Sequence, residues 1–235
     1  MRIPARHISQ GRSKMKKAVV LLSGGLDSAV TLFHAIDGGY KVLALTFDYG
    51  QRNSAELKRS SLIARKARVP IEVVKLKFPW KGSSLTDRAL TIPVNRTVKN
   101  IISGVPSTYV PARNSIFLSV AVSYAESIGA EAVFIGAHSD DAGGYPDCRA
   151  GFLKAFAKAM KLGTRAGVEG KIDLKFPLIS KNKSGIIKKG ISLGAPLELT
   201  RSCYKSGNAP CGECDSCILR AKGFREAGIK DPALK

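Results

Sequence analysis

The chain has 235 residues, 44% of them hydrophobic and 24% charged, which is typical of a globular protein large enough to bury a sizeable core. No apolar run is long enough to span a bilayer, and the basic N-terminus lacks the apolar core of a secretion signal, so we expect a cytoplasmic protein without membrane contact. The net charge of +20 would suit RNA or small polyanions, but no RNA-reading motif accompanies it, so we do not expect stable nucleic-acid binding.

Apolar runs and helical patterns alternate along the chain, broken by a proline-containing segment at 78–112 that is typical of a loop or lid. A buried strand is predicted over residues 18–22, further strands over 42–47, 71–76 and 132–137, and an extended segment over 172–179. Helices are predicted over residues 27–38, 53–68, 114–129, 149–162 and 183–193. This alternation predicts an α/β fold with a doubly wound parallel sheet, in which the loops at 23–28, 48–53 and 136–148 face one cleft.

Three regions of the chain are predicted. Residues 1–15 are basic and precede the first strand, so we expect a disordered basic extension. Residues 16–200 hold the strands and helices of the main domain. Residues 201–235 carry four cysteines and are predicted to form a small helical, zinc-binding segment packed on that domain.

The string Ser23-Gly24-Gly25-Leu26-Asp27-Ser28 follows a buried strand and opens a helix. Its glycines permit a tight turn and close ligand approach, while the helix start offers free N–H groups to an anion. The hydroxyls of Ser23 and Ser28 add donors, so the segment is predicted to bind phosphate oxygens. The alternative is a glycine turn in which Ser23 or Asp27 caps the helix.

The cysteines at the C-terminal end predict a metal site. Their spacing is C-x7-C-x2-C-x2-C, and tight CxxC pairs let one turn present two thiolates to a tetrahedral ion. The four residues are Cys203, Cys211, Cys214 and Cys217. An iron–sulfur cluster and free reduced thiols are the alternatives to a structural zinc ion. Cys148 stands apart, has no evident basic partner, and is expected to be structural or to line a pocket.

The phosphate-binding string resembles the signature loop of the ATP pyrophosphatase superfamily, whose fold is that of the adenine nucleotide alpha hydrolases. The resemblance implies that ATP is cleaved between its α- and β-phosphates, so that AMP is left on the substrate. Mg²⁺ is expected with the triphosphate, because the charge of the leaving pyrophosphate needs neutralising. Asp27 is expected either to hold that metal or only to cap the helix.

Further strings resemble the 7-cyano-7-deazaguanine synthase (QueC) family over nearly the whole chain, from about Lys16 to Phe224. They are FDYGQR at 47–52, YPDCR at 145–149 and CGxCxxC at 211–217. The family's chemistry implies adenylation of a 7-carboxy-7-deazaguanine carboxylate, displacement of AMP by ammonia, and a second adenylation that dehydrates the amide to a nitrile. No glutaminase segment is present, which implies free ammonia, and family members tend to form homodimers.

The resemblance also implies roles for individual residues. Ser23, Asp27, Ser28 and Lys183 are expected to be catalytic, with Lys181 as a rival to Lys183. The residues expected to bind ATP are Leu22, Ser23, Gly24, Gly25, Leu26, Asp27, Ser28, Asp48, Tyr49, Gln51, Arg113 and Asn114. For Asp48 and Asn114, a role at a helix start is the alternative.

Asp141, Tyr145 and Asp147 are the candidates for recognition of the deazaguanine. A carboxylate can accept from the N1–H and the amino group of a guanine-like edge, and a tyrosine can stack on the ring. The alternative is a glycine-rich connection in which Asp147 caps a helix. The sequence departs from the family at Asp141-Ala142-Gly143, where an aromatic residue and a serine are usual, so the pocket is expected to differ in detail. His138 is a lone loop histidine.

Two other functions remain open. A tRNA-thiolating enzyme with the same phosphate loop would adenylate a base in RNA, and the basic charge fits that function. A non-catalytic, zinc-stabilised RNA-binding module is the second alternative. Turnover with the free deazapurine acid, rather than with tRNA, distinguishes the expected function from both.

Overall fold

A computed structural model describes residues 15–141, 143–207 and 209–234 of the protein. The expected basic extension over residues 1–15 lies outside the described residues, apart from Met15. Among the described residues, no helix combines the length and apolar character that a bilayer span requires.

A single five-stranded sheet forms the centre of the described structure. The strands are β1 (Lys17–Leu21), β2 (Lys41–Asp48), β3 (Ile71–Lys75), β4 (Ala132–Phe134) and β5 (Asp173–Lys175). They lie in the order β3-β2-β1-β4-β5, and every neighbouring pair is parallel. The doubly wound parallel sheet predicted from the alternation of elements is therefore confirmed.

Helices cover both faces of this sheet. They are α1 (Leu26–Asp37), α2 (Ala55–Ala67), α3 (Val98–Ile101), α4 (Arg113–Ser127), α5 (Ala150–Gly163), α6 (Arg165–Val168), α7 (Lys183–Ser192) and α8 (Asp215–Ala227). The helix predicted for the C-terminal cysteine segment is α8. Strand β4 is shorter than the predicted 132–137. The N–H of Ile135 donates to the carbonyl of Lys175 at 3.0 Å, and the chain leaves the sheet after this residue.

Alternate residues of β1 divide the core into two layers, as the period of a strand requires. Val19 and Leu21 pack with Leu118 of α4 and Leu153 of α5 on one face. Val20 lies on the other face, in the layer that includes residues of α1 and α2. A third cluster joins α1, α7 and α8 through residues such as Leu26, Ile187 and Phe224.

The chain order reverses beside β1, which pairs with β2 on one side and with β4 on the other. In a parallel sheet, the loops after two such strands leave a crevice between them at the carboxyl ends of the strands. The turn that follows β1 and the loop that follows β4 therefore form the two sides of this crevice. The sequence motifs at 23–28 and 136–148 lie on these two loops, so the fold brings them together.

Candidate active site

The turn between β1 and α1 is held by its own hydroxyl groups. Ser28 Oγ donates to the carbonyl of Gly25 at 3.0 Å and accepts from the N–H of Ser23 at 3.2 Å. Ser23 Oγ lies 3.1 Å from Ser28 Oγ and accepts from the N–H of Gly25 at 3.3 Å. Helix α1 has no side-chain cap, so its first N–H groups are available to an anion in the cleft.

Gly24 allows α2 to approach this turn. Its φ is +85°, and a Cβ here would lie 2.5 Å from the carbonyl oxygen of Glu56 and 2.9 Å from the nitrogen of Ser60. Only glycine satisfies both the left-handed backbone and the close approach. The carbonyl of Gly24 also accepts from the N–H of Arg201 at 3.0 Å, which connects the turn to the C-terminal segment.

Lys183, at the start of α7, reaches the same turn. Its Nζ lies 2.8 Å from Oδ1 and 2.9 Å from Oδ2 of Asp27, and 2.9 Å from Nε2 of His138. Burial alone would raise the pKa of Asp27, but the positive charge of Lys183 and then His138 outweigh it and hold that pKa well below its usual range. The pair therefore stays ionised near neutral pH.

His138 is fully buried beside this pair. Its Nε2 lies 3.1 Å from Oδ2 of Asp141 and 3.6 Å from Oδ2 of Asp27. Burial and Lys183 lower the pKa of His138, whereas Asp141 and Asp27 raise it, with a net upward shift. Its buried Nδ1 has no hydrogen-bond partner among the described residues.

The lysine is positioned by groups on either side of it. Asp140 accepts from the N–H of Lys183 at 2.9 Å, and Asn182 caps α7 by accepting from the N–H of Gly185 at 2.9 Å. The side-chain stem of Lys183 passes over Gly223 of α8, where a Cβ would lie 2.4 Å from Cγ of the lysine. The C-terminal helix thus leaves room for the lysine to reach the turn.

A second group of polar residues lies where β2 ends and α4 begins. Arg113 Nη1 donates to the hydroxyl of Tyr49 at 2.9 Å. Burial lowers the pKa of Arg113, but Tyr49 and Tyr145 outweigh that effect, so the guanidinium stays charged. Gln51 folds back on its own strand, accepting from Tyr49 N–H at 2.8 Å and donating to the carbonyl of Phe47 at 3.1 Å.

Three hydroxyl groups from different parts of the chain meet at Tyr145, in the loop after β4. Tyr145 Oη lies 2.7 Å from Oγ1 of Thr108 and 3.2 Å from Oη of Tyr204. Burial raises the pKa of both tyrosines, so they remain neutral donors and acceptors near neutral pH. Tyr204 directly follows the metal-ligand candidate Cys203, so this part of the cleft depends on the C-terminal segment.

One cavity contacts most of the predicted site residues. Those that line it are Leu22, Ser23, Gly25, Asp27, Ser28, Tyr49, Gln51, Arg113, Asn114, Asp141, Tyr145 and Lys183. Gly24, Leu26, Asp48 and Asp147 do not line it. Lys181, the rival of Lys183, is likewise absent from the lining.

Three of the predicted residues that do not line the cavity make contacts elsewhere. Leu26 is buried between α1, α7 and α8, and Asp48 Oδ1 accepts from the N–H of Gly50 at 3.4 Å in the turn after β2. Asp147 is 5% exposed, and its Oδ2 accepts from the N–H of Asn114 at 2.9 Å, which caps the first turn of α4. Direct binding of the deazaguanine by Asp147 stays a prediction.

Several lining residues were not among the predicted site residues. They are Thr46, Arg52, Asn53, Glu56, Leu85, Phe117, Arg201, Ser202, Tyr204, Ser216 and Leu219. Cys148 lines the cavity, which is one of the two positions expected for it. Arg201, Ser202 and Tyr204 flank Cys203, so their closeness to a metal motif was the available hint. Glu56 follows the FDYGQR string by four residues in the sequence. Only the packing of α2 reveals that it reaches the cleft.

The four C-terminal cysteines form a second centre. The sulfur atoms of Cys203, Cys211, Cys214 and Cys217 all lie within 4.8 Å of one another. A tetrahedral ion with metal–sulfur distances of about 2.3 Å needs such a cluster. The residues present therefore fit a closed, four-sulfur metal site.

This cysteine cluster also fixes the long loop before α4. Ile92 packs among the thiols, and Val94 forms an antiparallel bridge with Cys214. Asn95 N–H donates to the carbonyl of Glu213 at 2.8 Å, and Arg96 pairs with Asp215 at 2.8 Å. Arg52 then connects the same loop to the cleft by donating to the carbonyls of Asp87 and Leu90.

A glycine-rich turn that presents helix N–H groups at the switch point of a parallel sheet is the arrangement by which nucleotide-binding proteins hold phosphate groups. The family profile described as "Queuosine biosynthesis protein QueC" matches residues 17–228. The chain therefore belongs to the QueC family.

Curated relatives agree with this assignment. The 7-cyano-7-deazaguanine synthase of Thermoplasma volcanium is 48% identical over 217 residues, which cover 92% of this chain and 90% of the relative. The 7-cyano-7-deazaguanine synthase of Acetivibrio thermocellus is 49% identical over 218 residues, covering 92% and 96% of the two chains.

Solved structures are more distant. The NMN synthetase of Francisella tularensis is 13% identical, with a TM-score of 0.49 and coverage of 92% of this chain and 79% of that one. The U34-tRNA thiolase NcsA of Methanococcus maripaludis, solved with its 4Fe-4S cluster, is 14% identical, with a TM-score of 0.49 and coverage of 92% and 67%. At these TM-scores neither structure bears on the function of this chain.

Proposed function

We propose that this protein is an ATP-dependent ligase that converts 7-carboxy-7-deazaguanine and ammonia to 7-cyano-7-deazaguanine through adenylated intermediates. The observation that carries the proposal is that one cleft contains both the Ser23–Ser28 turn and the polar residues of the YPDCR loop in a chain of the QueC family. A phosphate-binding turn and a heterocycle-sized polar pocket must share a cleft if a carboxylate is to attack a nucleotide phosphate.

The turn and Lys183 are assigned to the triphosphate. Ser23, Ser28 and the N–H groups at the start of α1 would donate to pyrophosphate oxygens, with Leu22, Gly24 and Gly25 shaping their backbone. Lys183 would neutralise charge at the phosphates, since its ammonium already points at the turn. Asp27 is assigned to Mg²⁺, which when bound screens the charge on the leaving pyrophosphate.

The loop after β4 is assigned to the deazaguanine. Asp141 would accept from the N–H groups of the guanine-like edge, and Tyr145 would contact the ring. The charged Arg113 is positioned by its hydrogen bond to the neutral Tyr49 hydroxyl, and it can bind a phosphate or carboxylate oxygen in a bidentate manner. Gln51 and Asn114 complete the polar lining.

Each round of the reaction activates an oxygen as a leaving group. In the first round, a carboxylate oxygen attacks the α-phosphorus, pyrophosphate departs, and ammonia displaces AMP to give the amide. In the second round, the amide oxygen attacks another α-phosphorus, and loss of AMP and a proton leaves the nitrile. Because both rounds place the same exocyclic carbon near the same phosphorus, one cleft serves both.

Zinc is proposed as the metal of the four-cysteine site. Four sulfurs leave no open coordination position, so the role of the zinc ion would be structural. No chemical step of the reaction would then need the ion as a participant. An iron–sulfur cluster would give visible absorption, which a zinc site lacks. Homodimer formation and a cytoplasmic location stay predictions.

The proposed function is tested by incubating the protein with 7-carboxy-7-deazaguanine, ATP, Mg²⁺ and ammonium, followed by mass analysis. We expect the nitrile, and two AMP molecules for each nitrile formed. The Ser23→Ala, Asp27→Ala double variant is the control and should lose the conversion. An ATP turnover that needed tRNA and ignored the free acid would favour the thiolating function instead.

A further inference from the structure

Glu56 lies in the first turn of α2 and lines the cleft beside the phosphate-binding turn. Its backbone carbonyl is the group that approaches Gly24, so the residue is fixed against that turn. No hydrogen bond or ion pair joins its carboxylate to another residue in the described part of the chain. A carboxylate in this place has no role in the assignments above.

The cationic side chains near Glu56 direct their hydrogen bonds to other groups. Arg113 donates to the hydroxyl of Tyr49 at 2.9 Å. Arg201 donates to the carbonyls of Lys205 and Ala209 at 3.3 and 3.2 Å. Lys183 is held by Asp27 at 2.8 Å. The cleft therefore contains a carboxylate without a hydrogen bond or ion pair to another described residue, although it must accept a triphosphate and a carboxylic acid.

A carboxylate without a direct partner in a partly dry cleft is costly, and a cationic ligand offsets that cost. Burial raises the pKa of Glu56 to about 7, although Arg113 and Arg201 lower it, while Cys203 raises it further. Burial raises the pKa of Tyr49, just after β2, and the nearby charge of Glu56 raises it further. A carboxylate with such surroundings can hold a cation and then accept a proton at neutral pH.

The proposed reaction brings two cations to the cleft. Mg²⁺ travels with the triphosphate and is assigned to Asp27 in the turn. Ammonium is the other, and it offers only N–H donors, for which a carboxylate with free lone pairs is the matching acceptor. Ammonium must also lose protons before its nitrogen can attack, so its binding group should be able to take one.

We propose that Glu56 forms the ammonium-binding site and accepts the first proton that the ammonium ion loses. The inference rests on the proposed function and assigns the site of its second substrate. Transfer of one proton to Glu56 gives ammonia, whose nitrogen lone pair forms a bond to the carbonyl carbon of the acyl adenylate. The bond between that carbon and the phosphate oxygen breaks, and AMP leaves with the electron pair. A second proton passes from the new amide nitrogen to solvent, so that acyl adenylate and ammonium give amide, AMP and two protons.

The test compares Glu56→Gln with the wild-type protein in two assays. Pyrophosphate release from ATP and the acid, measured without ammonium, reports adenylation and should stay unchanged. The KM for ammonium in amide formation should rise about ten- to a hundredfold, the loss expected when a hydrogen bond to a charged group is removed. Glu56→Asp retains a carboxylate and should recover part of the ammonium affinity.

Hydroxylamine separates a proton acceptor from a general structural role. It is largely unprotonated near neutral pH, so it needs no base before it attacks. The Glu56→Gln variant should therefore form the hydroxamate at nearly the wild-type rate while amide formation from ammonium is impaired. Glu72→Gln on β3, an exposed residue outside the cleft, is the matched control and should change neither reaction.

Three results of these assays would overturn the assignment of Glu56 to the ammonium site. An unchanged KM for ammonium would remove Glu56 from the ammonium site. A loss of adenylation, or a raised KM for MgATP or for the acid, would assign the carboxylate to Mg²⁺ or to the deazaguanine. Equal loss with ammonium and hydroxylamine would show that it only orients the intermediate. Failure of the wild-type protein to form amide from any nitrogen donor would instead contradict the proposed function itself.

Discussion

Lys183 and Asp27 are separated by 156 positions in the chain, yet Nζ of the lysine lies 2.8 Å from Oδ1 of the aspartate. The contact joins the start of α7 to the first turn of α1 across the mouth of the cleft. It keeps an ammonium group next to the phosphate-binding turn before any nucleotide arrives. Nucleotide binding then has less side-chain entropy to lose at this position.

Replacement of Lys183 tests this arrangement. Lys183→Met should lower kcat/KM for pyrophosphate release by about a hundred- to a thousandfold, the loss typical when one donor to developing charge is removed. Lys181→Met is the matched control, because Lys181 lies two residues earlier and does not line the cavity. If the two variants lost the same activity, the lysine at the start of α7 would have no specific role.

The backbone at Gly24 gives a second prediction. Gly24→Ala should lower the free energy of unfolding by more than Gly39→Ala and should abolish ATP binding. Both glycines have positive φ, +85° and +77°, so both variants bear a left-handed backbone cost of about 1–2 kcal/mol. Only Gly24 would also place a Cβ 2.5 Å from the carbonyl of Glu56, whereas Gly39 has nothing within 4 Å.

Chemical denaturation and nucleotide titration measure the two effects separately. The difference between the variants isolates the contact with α2 from the cost of the backbone angle. Equal destabilisation with retained ATP binding would show that α2 can move away from the turn without loss.

Metal removal gives a third prediction. Chelation, or Cys214→Ser, should lower the melting temperature and should increase hydrogen exchange at residues 92–96 before the sheet is affected. The reason is that this loop is held by Cys214, Glu213 and Asp215, which surround the metal site. Binding free energy at a structural metal site is folding free energy for the segments around it.

Cys148→Ser is the control for this experiment. Cys148 is buried in the cleft, accepts from Nδ2 of Asn114 at 3.2 Å and lies outside the cysteine cluster. The variant should keep one metal ion per chain in elemental analysis and should keep protection at 92–96. Unchanged exchange after chelation would mean that the loop is fixed by other contacts.

The raised pKa of Glu56 predicts how stability depends on pH. Its value is about 7 in the folded protein against an ordinary 4.5, so between these pH values the folded state binds more protons than the unfolded state. Stability from this group is therefore greatest at low pH and falls as the pH rises through that window. The total loss is at most about 3.5 kcal/mol, since each pKa unit corresponds to about 1.4 kcal/mol.

Glu56→Gln removes this titration and keeps the shape of the side chain. In denaturation of the metal-loaded protein at pH 5 and 7.5, the variant should gain stability relative to wild type as the pH rises. Glu72→Gln, at an exposed position, should track the wild type at both pH values. Parallel curves for all three proteins would show that the carboxylate of Glu56 is solvated like an ordinary glutamate.

Local pattern was enough to predict most elements and the kind of sheet. Apolar strands that alternate along the chain with amphipathic helices indicate a parallel sheet with two covered faces. The reason is that a strand that is apolar on both faces has to be buried on both. The phosphate-binding role of the Ser23–Ser28 turn and the metal site of the four cysteines could be predicted for a similar reason. The chemistry of each motif depends on residues close together in the sequence, so their spacing is enough to predict it.

Tertiary packing decided which side chains reach the cleft. Leu26 and Asp27 are adjacent in sequence, but successive side chains of a helix point about 100° apart, so Leu26 enters the core while Asp27 faces the cavity. Asp147 similarly caps α4 from a distant loop. Glu56, Arg201 and Tyr204 reach the site only because α2 and the cysteine segment pack against the turn. Long-range contacts of this kind leave no periodic trace in the sequence, since they depend on how whole elements meet rather than on the order of residues within one.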